Sequence, residues 1–161
     1  LYTLFSLWLE QNGYSRTQIG LFWTLGVLAE ILMFRIQRPL FERFGLARAW
    51  SSSYAIAAIR FGLIAVSGGN IWVLLVAQLL HAATFGVHHS ASMALVREWF
   101  PQAAQARGQA LYTMASYGLG GSLGGILAGW VWESVSPQAS FALAAGFAGL
   151  GWLVARRAAR A

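Results

Sequence analysis

Five stretches of this chain, residues 16–37, 49–66, 71–96, 109–132 and 139–155, are long, apolar and almost free of charge. Each approaches the roughly 20 residues that a helix needs to cross about 30 Å of hydrocarbon. No alternation of apolar and polar residues is sustained, which argues against strands, and a helix satisfies its own backbone inside lipid. Composition agrees. Hydrophobic residues make up 58% of the chain and charged residues 10%, against about 25% charged in an ordinary soluble domain. The expectation is an all-α membrane protein with five full transmembrane helices, preceded in residues 1–9 by the end of a sixth.

The breaks between the stretches are polar or helix-stopping. Glu10-Gln11-Asn12-Gly13 closes the first, and Ser15 or Thr17 can cap the next. Arg38-Pro39 is expected to break that helix and open a charged loop reaching Arg48. Ser67-Gly68-Gly69-Asn70, then Arg97-Glu98 with Pro101, then Glu133 to Pro137 mark further turns, and Arg156-Arg157 ends the last span. The chain begins at Leu1, already inside an apolar stretch, so upstream sequence is expected.

The 11 basic residues are all arginine and outnumber 5 acidic ones, giving an isoelectric point near 10.8. Nucleic-acid binding would need them clustered on one soluble face; here they flank apolar runs. If spans alternate, Arg35, Arg38, Arg43, Arg48, Arg97, Arg107, Arg156, Arg157 and Arg160 collect on one side. Arg16 lies on the other, and Arg60 within a span. Positive flanks stay in the cytoplasm. The expected location is therefore integral to a membrane, the bacterial inner (plasma) membrane, with a cytoplasmic C-terminus. Cysteine is absent, so neither a disulfide framework nor a thiolate metal site can form.

A charge at the bilayer centre costs a few kcal/mol even on lenient insertion scales, so ionisable groups within spans are the candidate site. Glu30 stands mid-span and shares a helical face with Trp23. It reads as a proton-carrying carboxylate or substrate contact, or as an ion pair with Arg35 or another helix. Arg60 lies about 18 Å from Arg48 along the helix, too far to snorkel comfortably. It can bind an anionic substrate, pair with Glu30, or serve as a structural bridge.

Gln78, His81, Phe85, His88 and Ser92 alternate at spacings of three and four, forming one polar stripe. Histidine titrates near neutral pH and suits a proton relay; hydrogen bonding between helices is the plainer reading. His89 is rotated off that stripe and reads as structural. A metal site from His81, His88 and Glu30 is disfavoured, because histidines seven apart stand about 10 Å apart along a helix. Neither a metal nor another cofactor is expected. Gly121, Gly125 and Gly129 recur every four residues in a glycine-rich span, a pattern for close helix packing.

Those residues carry a resemblance. Arg38-Pro39-Leu40-Phe41-Glu42-Arg43-Phe44-Gly45 resembles the cytoplasmic loop motif Gly-x-x-x-Asp-Arg-x-Gly-Arg-Arg of the major facilitator superfamily. Glu42, Arg43 and Gly45 sit at motif positions; Arg38 replaces the first glycine, and Leu46-Ala47 the final arginines. Leu9–Ser15, Ile19-Gly20, Ala29-Glu30-Ile31, Arg107–Tyr112 and Gly118–Gly125 are similar to the branch containing the phenylpropionate permease, lactose permease and nucleoside symporters. The resemblance implies the C-terminal half of such a bundle. It also places Arg60 and His81 where lactose permease carries an arginine and a histidine. Thr84 stands in place of that histidine's partner glutamate, and Glu30 one turn past the permease's acid.

The implied function is secondary active transport, a proton-coupled symport of a small organic solute by alternating access. An aromatic carboxylate such as phenylpropionate would pair with Arg60 while Trp23 or Phe85 packs on its ring. Partners would be the solute, protons, the bilayer and a missing N-terminal six-helix half, with no nucleic acid. The rivals are an integral-membrane enzyme using His81, His88 and Glu30, and a non-transporting sensor or assembly protein of the same fold.

Overall fold

The computed structural model describes residues 2–158. Leu1, at the head of the 1–9 stretch, and Arg160 of the expected basic tail lie outside the described residues. Helices follow one another as α1 (Tyr2–Gln11), α2 (Arg16–Phe44), α3 (Leu46–Val66), α4 (Ile71–Trp99), α5 (residues 105–134) and α6 (Pro137–Ala158). A 3₁₀ turn, Gln102–Ala104, precedes α5. Among the described residues there is no strand.

Four helices, α2, α3, α4 and α6, are long and apolar enough to cross a membrane. α5, expected as a fifth crossing, is as extended but rich in glycine, which adds length without apolar side chain. Both α4 and α5 contain a π-helical segment, Ala82–Val87 and Met114–Gly120. Large apolar side chains such as Leu21, Leu32, Val66, Trp72, Leu123, Ile126 and Val154 stand exposed around the bundle, where water would be a costly neighbour and lipid is not.

The expected break at Arg38-Pro39 does not occur: α2 runs through Pro39 to Phe44. An internal proline removes one backbone hydrogen bond and crowds the preceding turn. Around it, Arg38 Nε meets Glu42 Oε1 at 2.9 Å. Leu40 and Phe44 share a cavity wall with Ile56 of α3 and with Ala83 and Val87 of α4. The helix stops instead at Gly45, whose φ of 83° is open to glycine and strained for L side chains. The anticipated charged loop is therefore the end of one helix and the start of the next, hinged at one residue.

At the other end of α2, Ser15 forms a capping box with Gln18: Gln18 N donates to Ser15 Oγ at 3.3 Å and Ser15 N to Gln18 Oε1 at 2.8 Å. Asn70 caps α4 through its side-chain oxygen alone, accepting from the Trp72 and Val73 amides. Gly69 touches Asn12 so closely that a Cβ there would collide with it, which binds the α1–α2 and α3–α4 turns together.

Contacts fix the register. Phe22, Gly26 and Glu30 of α2 meet Gln78, His81 and then Gly86 of α4 in rising order, so these helices run parallel. Arg60, Ser53 and Trp50 of α3 meet Gln78, His88 and Ser92 in falling order, so α3 runs antiparallel to α4. α6 is antiparallel to α3, with Tyr54 against Gly151 and Ile64 beside Phe141. Arg43, Arg48, Arg97 and Arg156 consequently lie toward one end of the bundle. The core, at the other end, is Phe5, Trp8, Leu9, Phe22, Ile64, Leu74, Ala77 and Phe141.

Candidate functional site

A buried histidine and a partly buried carboxylate meet where α2, α3 and α4 converge. His81 Nε2 lies 2.7 Å from Glu30 Oε1, with side chains 5% and 13% exposed. A contact that short between a ring nitrogen and a carboxylate oxygen needs a proton between them, for two bare lone pairs would repel. Gly26, one turn before Glu30, lets the helices approach. A Cβ there would stand 3.2 Å from His81 Cδ2 and 3.3 Å from Gln78 Nε2. Trp23 sets its ring edge-on to His81 with centroids 6.2 Å apart, and its Nε1 donates to Ser6 Oγ at 3.0 Å.

Arg60 is 5% exposed. Its Nε donates to the Ala77 carbonyl at 3.0 Å, its Nη2 to Gln78 Oε1 at 3.2 Å and its Nη1 to Thr84 Oγ1 at 3.4 Å. Gln78 completes the link by donating from Nε2 to the Phe22 carbonyl at 2.9 Å. One glutamine thus ties α2, α3 and α4 together beside a buried cation. Stripping a guanidinium of water costs several kcal/mol unless hydrogen bonds replace it, and these oxygens provide them. A cavity of about 200 Å³ adjoins Arg60, lined by Phe5, Ala57, Phe61, Ile64, Thr84 and Phe141. The aromatic walls beside Arg60 are therefore Phe5, Phe61 and Phe141, while Trp23 and Phe85 border the Glu30–His81 pair.

The polar stripe of α4 divides at its π segment. Hydrogen bonds there close from i to i+5, adding one residue to the turn. His89, not His88, then continues the line from His81: Phe85 stacks on His81 at 5.7 Å and 17°, and on His89 at 6.1 Å and 8°. The expectation that His89 points away from that face is thereby corrected. His88 turns to α3 instead, 3.0 Å from Ser53 Oγ through Nδ1. It packs between Trp50 and Tyr54. Ser53 gives its one hydroxyl proton to the Trp50 carbonyl at 2.6 Å, so His88 carries its proton on Nδ1 and donates it. Ser92 accepts from Trp50 Nε1 at 3.0 Å.

The remaining expected residues lie apart. Glu42 pairs with Arg38, Arg43 lies over the Phe44 ring at 5.4 Å, and Gly45 makes the hinge. Gly121 and Gly125 line a groove of about 480 Å³ between α5 and α6. At Gly125 and Gly129 an added Cβ would meet nothing within 4 Å, so no helix among the described residues packs closely on that ridge. Gly26, and Tyr117 whose Oη lies 3.2 Å from His89 Nδ1, were not singled out from the sequence. Gly26 carried one available signal, its place one turn before a mid-span acid.

The MFS_1 like family matches residues 1–143. "Probable 3-phenylpropionic acid transporter" of Escherichia coli (strain K12) is 33% identical over 92 residues, 57% of this chain and 24% of that protein. An "Uncharacterized transporter" of Bacillus subtilis (strain 168) is 24% identical over 141 residues, 88% of this chain and 35% of that protein. A "Probable transporter" of Streptomyces coelicolor is 32% identical over 150 residues, 89% of this chain and 33% of that protein. The chain thus spans between 24% and 35% of the length of these curated relatives. No solved structure matches it.

Proposed function

The chain belongs to the major facilitator superfamily, and from that membership we propose that it is the C-terminal half of a proton-coupled symporter for a small organic solute. The observation that carries this reading is the 2.7 Å Glu30–His81 contact, buried in membrane-length helices beside a guanidinium. A carboxylate that gains and loses a proton there changes the charge of the cavity, and so the cost of carrying it through an occluded state.

The cargo we propose is an organic carboxylate with an aromatic ring, its anionic end toward Arg60. Support comes from the phenylalanine walls of the Arg60 cavity and from the name of the Escherichia coli relative. At about 200 Å³ the cavity falls below the roughly 300–1,000 Å³ of usual ligand sites, consistent with a second half supplied by sequence outside this chain. Such sites lie near the midplane where two repeats meet. The open ridge of Gly121, Gly125 and Gly129 would receive a helix of that half, and Gly45 would flex between α2 and α3. The protein would act without a resident cofactor and without enzymatic chemistry. The arginines gathered at one end support a cytoplasmic C-terminus, and the bacterial relatives support a bacterial inner membrane.

The test is uptake of radiolabelled 3-phenylpropionate by the complete protein in proteoliposomes under an inward proton gradient. Protein-free vesicles correct for passive entry of the acid. Wild-type accumulation should collapse with a protonophore, and Glu30→Gln and Arg60→Ala should each abolish it while remaining in the membrane. Wild-type uptake by both variants would reject the site; uptake blind to the gradient would reject proton coupling.

A further inference from the structure

We infer that Phe85 is a gate between two proton stations, an inner one at Glu30–His81 and one toward the arginine-rich end at His89–Tyr117. The inference rests on the proton-coupled reading and adds two residues to it. Along α4, His81, Phe85 and His89 follow at successive turns, their rings nearly parallel at 17° and 8°. The phenyl ring therefore lies between the two imidazoles. His89 Nδ1 stands 3.2 Å from Tyr117 Oη on α5, and Tyr112 meets Tyr117 edge-on at 6.2 Å.

The His89–Tyr117 station depends on two π turns. The segment Ala82–Val87 brings His89 into line with His81, and Tyr117 lies inside Met114–Gly120. Such turns distort a helix locally and recur at functional sites. Among the described residues, the groups beside His89 include Phe85 and the neighbouring imidazole of His88 on its own helix, and Tyr117, backed by Tyr112, on α5. Glu30 reaches His81 from α2, with its Oε1 2.7 Å from His81 Nε2 and its Cγ near Gly86. Imidazole and phenol exchange protons with water, and a phenyl ring does neither. A proton held at Glu30 and His81 can pass on to His89 only when Phe85 swings aside and water bridges the gap. It returns by reversing those steps, and no electrons move. Closed, the ring keeps the inner pair from leaking protons when no solute is bound.

The complete protein in proteoliposomes carrying an internal pH dye reads both parts. Phe85→Ala should raise solute-independent proton entry about tenfold over wild type, and Phe85→Leu, which keeps most of the volume, should restore most of the barrier. His89→Gln should lower gradient-driven accumulation about tenfold more than it lowers solute counterflow, a split that general misfolding would not produce. A coupled wild type with tight Phe85→Ala vesicles, or equal losses of both activities in His89→Gln, overturns the gate alone. Wild-type accumulation indifferent to the gradient overturns symport and the gate with it.

Discussion

His81, buried, and His88, partly buried, sit on one helix, yet their surroundings give them different work. His81 faces α2, where Glu30 supplies a second titratable group at 2.7 Å. His88 faces α3, where it donates to a serine hydroxyl and is enclosed by Trp50 and Tyr54. The first arrangement can shift a proton between two groups. The second holds two helices in register. Residue type alone does not distinguish them; the chemistry of the facing helix does.

The sharpest way to break this contrast is to remove each ring. His81→Ala should lower proton-driven accumulation about a hundredfold, the scale of losing a positioned proton-transfer group, with membrane insertion retained. Equal loss in His88→Ala would erase the distinction. That second variant should instead lose about 0.5–1.5 kcal/mol of stability, by abandoning a part-buried hydrogen bond, read as a lower thermal unfolding midpoint in detergent.

Gly26→Ala probes the His81 side more gently. Its Cβ would press on His81 and Gln78, both tied by hydrogen bonds. Overpacking should outweigh the gain in helix propensity and cost about 1 kcal/mol. A stabilised Gly26→Ala protein would mean that the α2–α4 approach is looser than described. Ser92→Ala is the smallest truncation, at about 0.5–1.5 kcal/mol for the lost Trp50 partner. It should leave the ratio of gradient-driven uptake to counterflow as in wild type, and a changed ratio would move the α3 side into the coupling path.

Much of the architecture was legible in the sequence. The apolar stretches marked the helices because lipid selects for them locally, residue by residue. The cap at Ser15 was readable, as one of two candidates with Thr17, since capping is a local property; Gly45 was read only as a motif position inside an expected loop. Pro39 misled because its cost is local and fixed, whereas the packing of Leu40 and Phe44 on α3 and α4 comes from residues distant in sequence. The glycine ridge of α5 read as a packing face, but no described helix covers it, and spacing alone does not name a partner.

For the site, spacing picked out Glu30, Arg60, Gln78 and His81, because a charged or amide side chain within an apolar span stands out against its neighbours. It put the wrong histidine in line with His81. Strict α-helical spacing places residue 88 on that face; one added residue in the π turn replaces it with residue 89.

The sequence alone determined that this chain is a set of helices bathed in lipid, with a few ionisable groups they must shelter. Each of those facts follows from one residue's transfer energy or from a helix's period. Only the tertiary structure decided that Glu30 meets His81, that Gln78 joins three helices around Arg60, and that a phenyl ring divides two imidazoles. Those are relations between helices, fixed by close packing and by a single inserted residue, and no local preference encodes them.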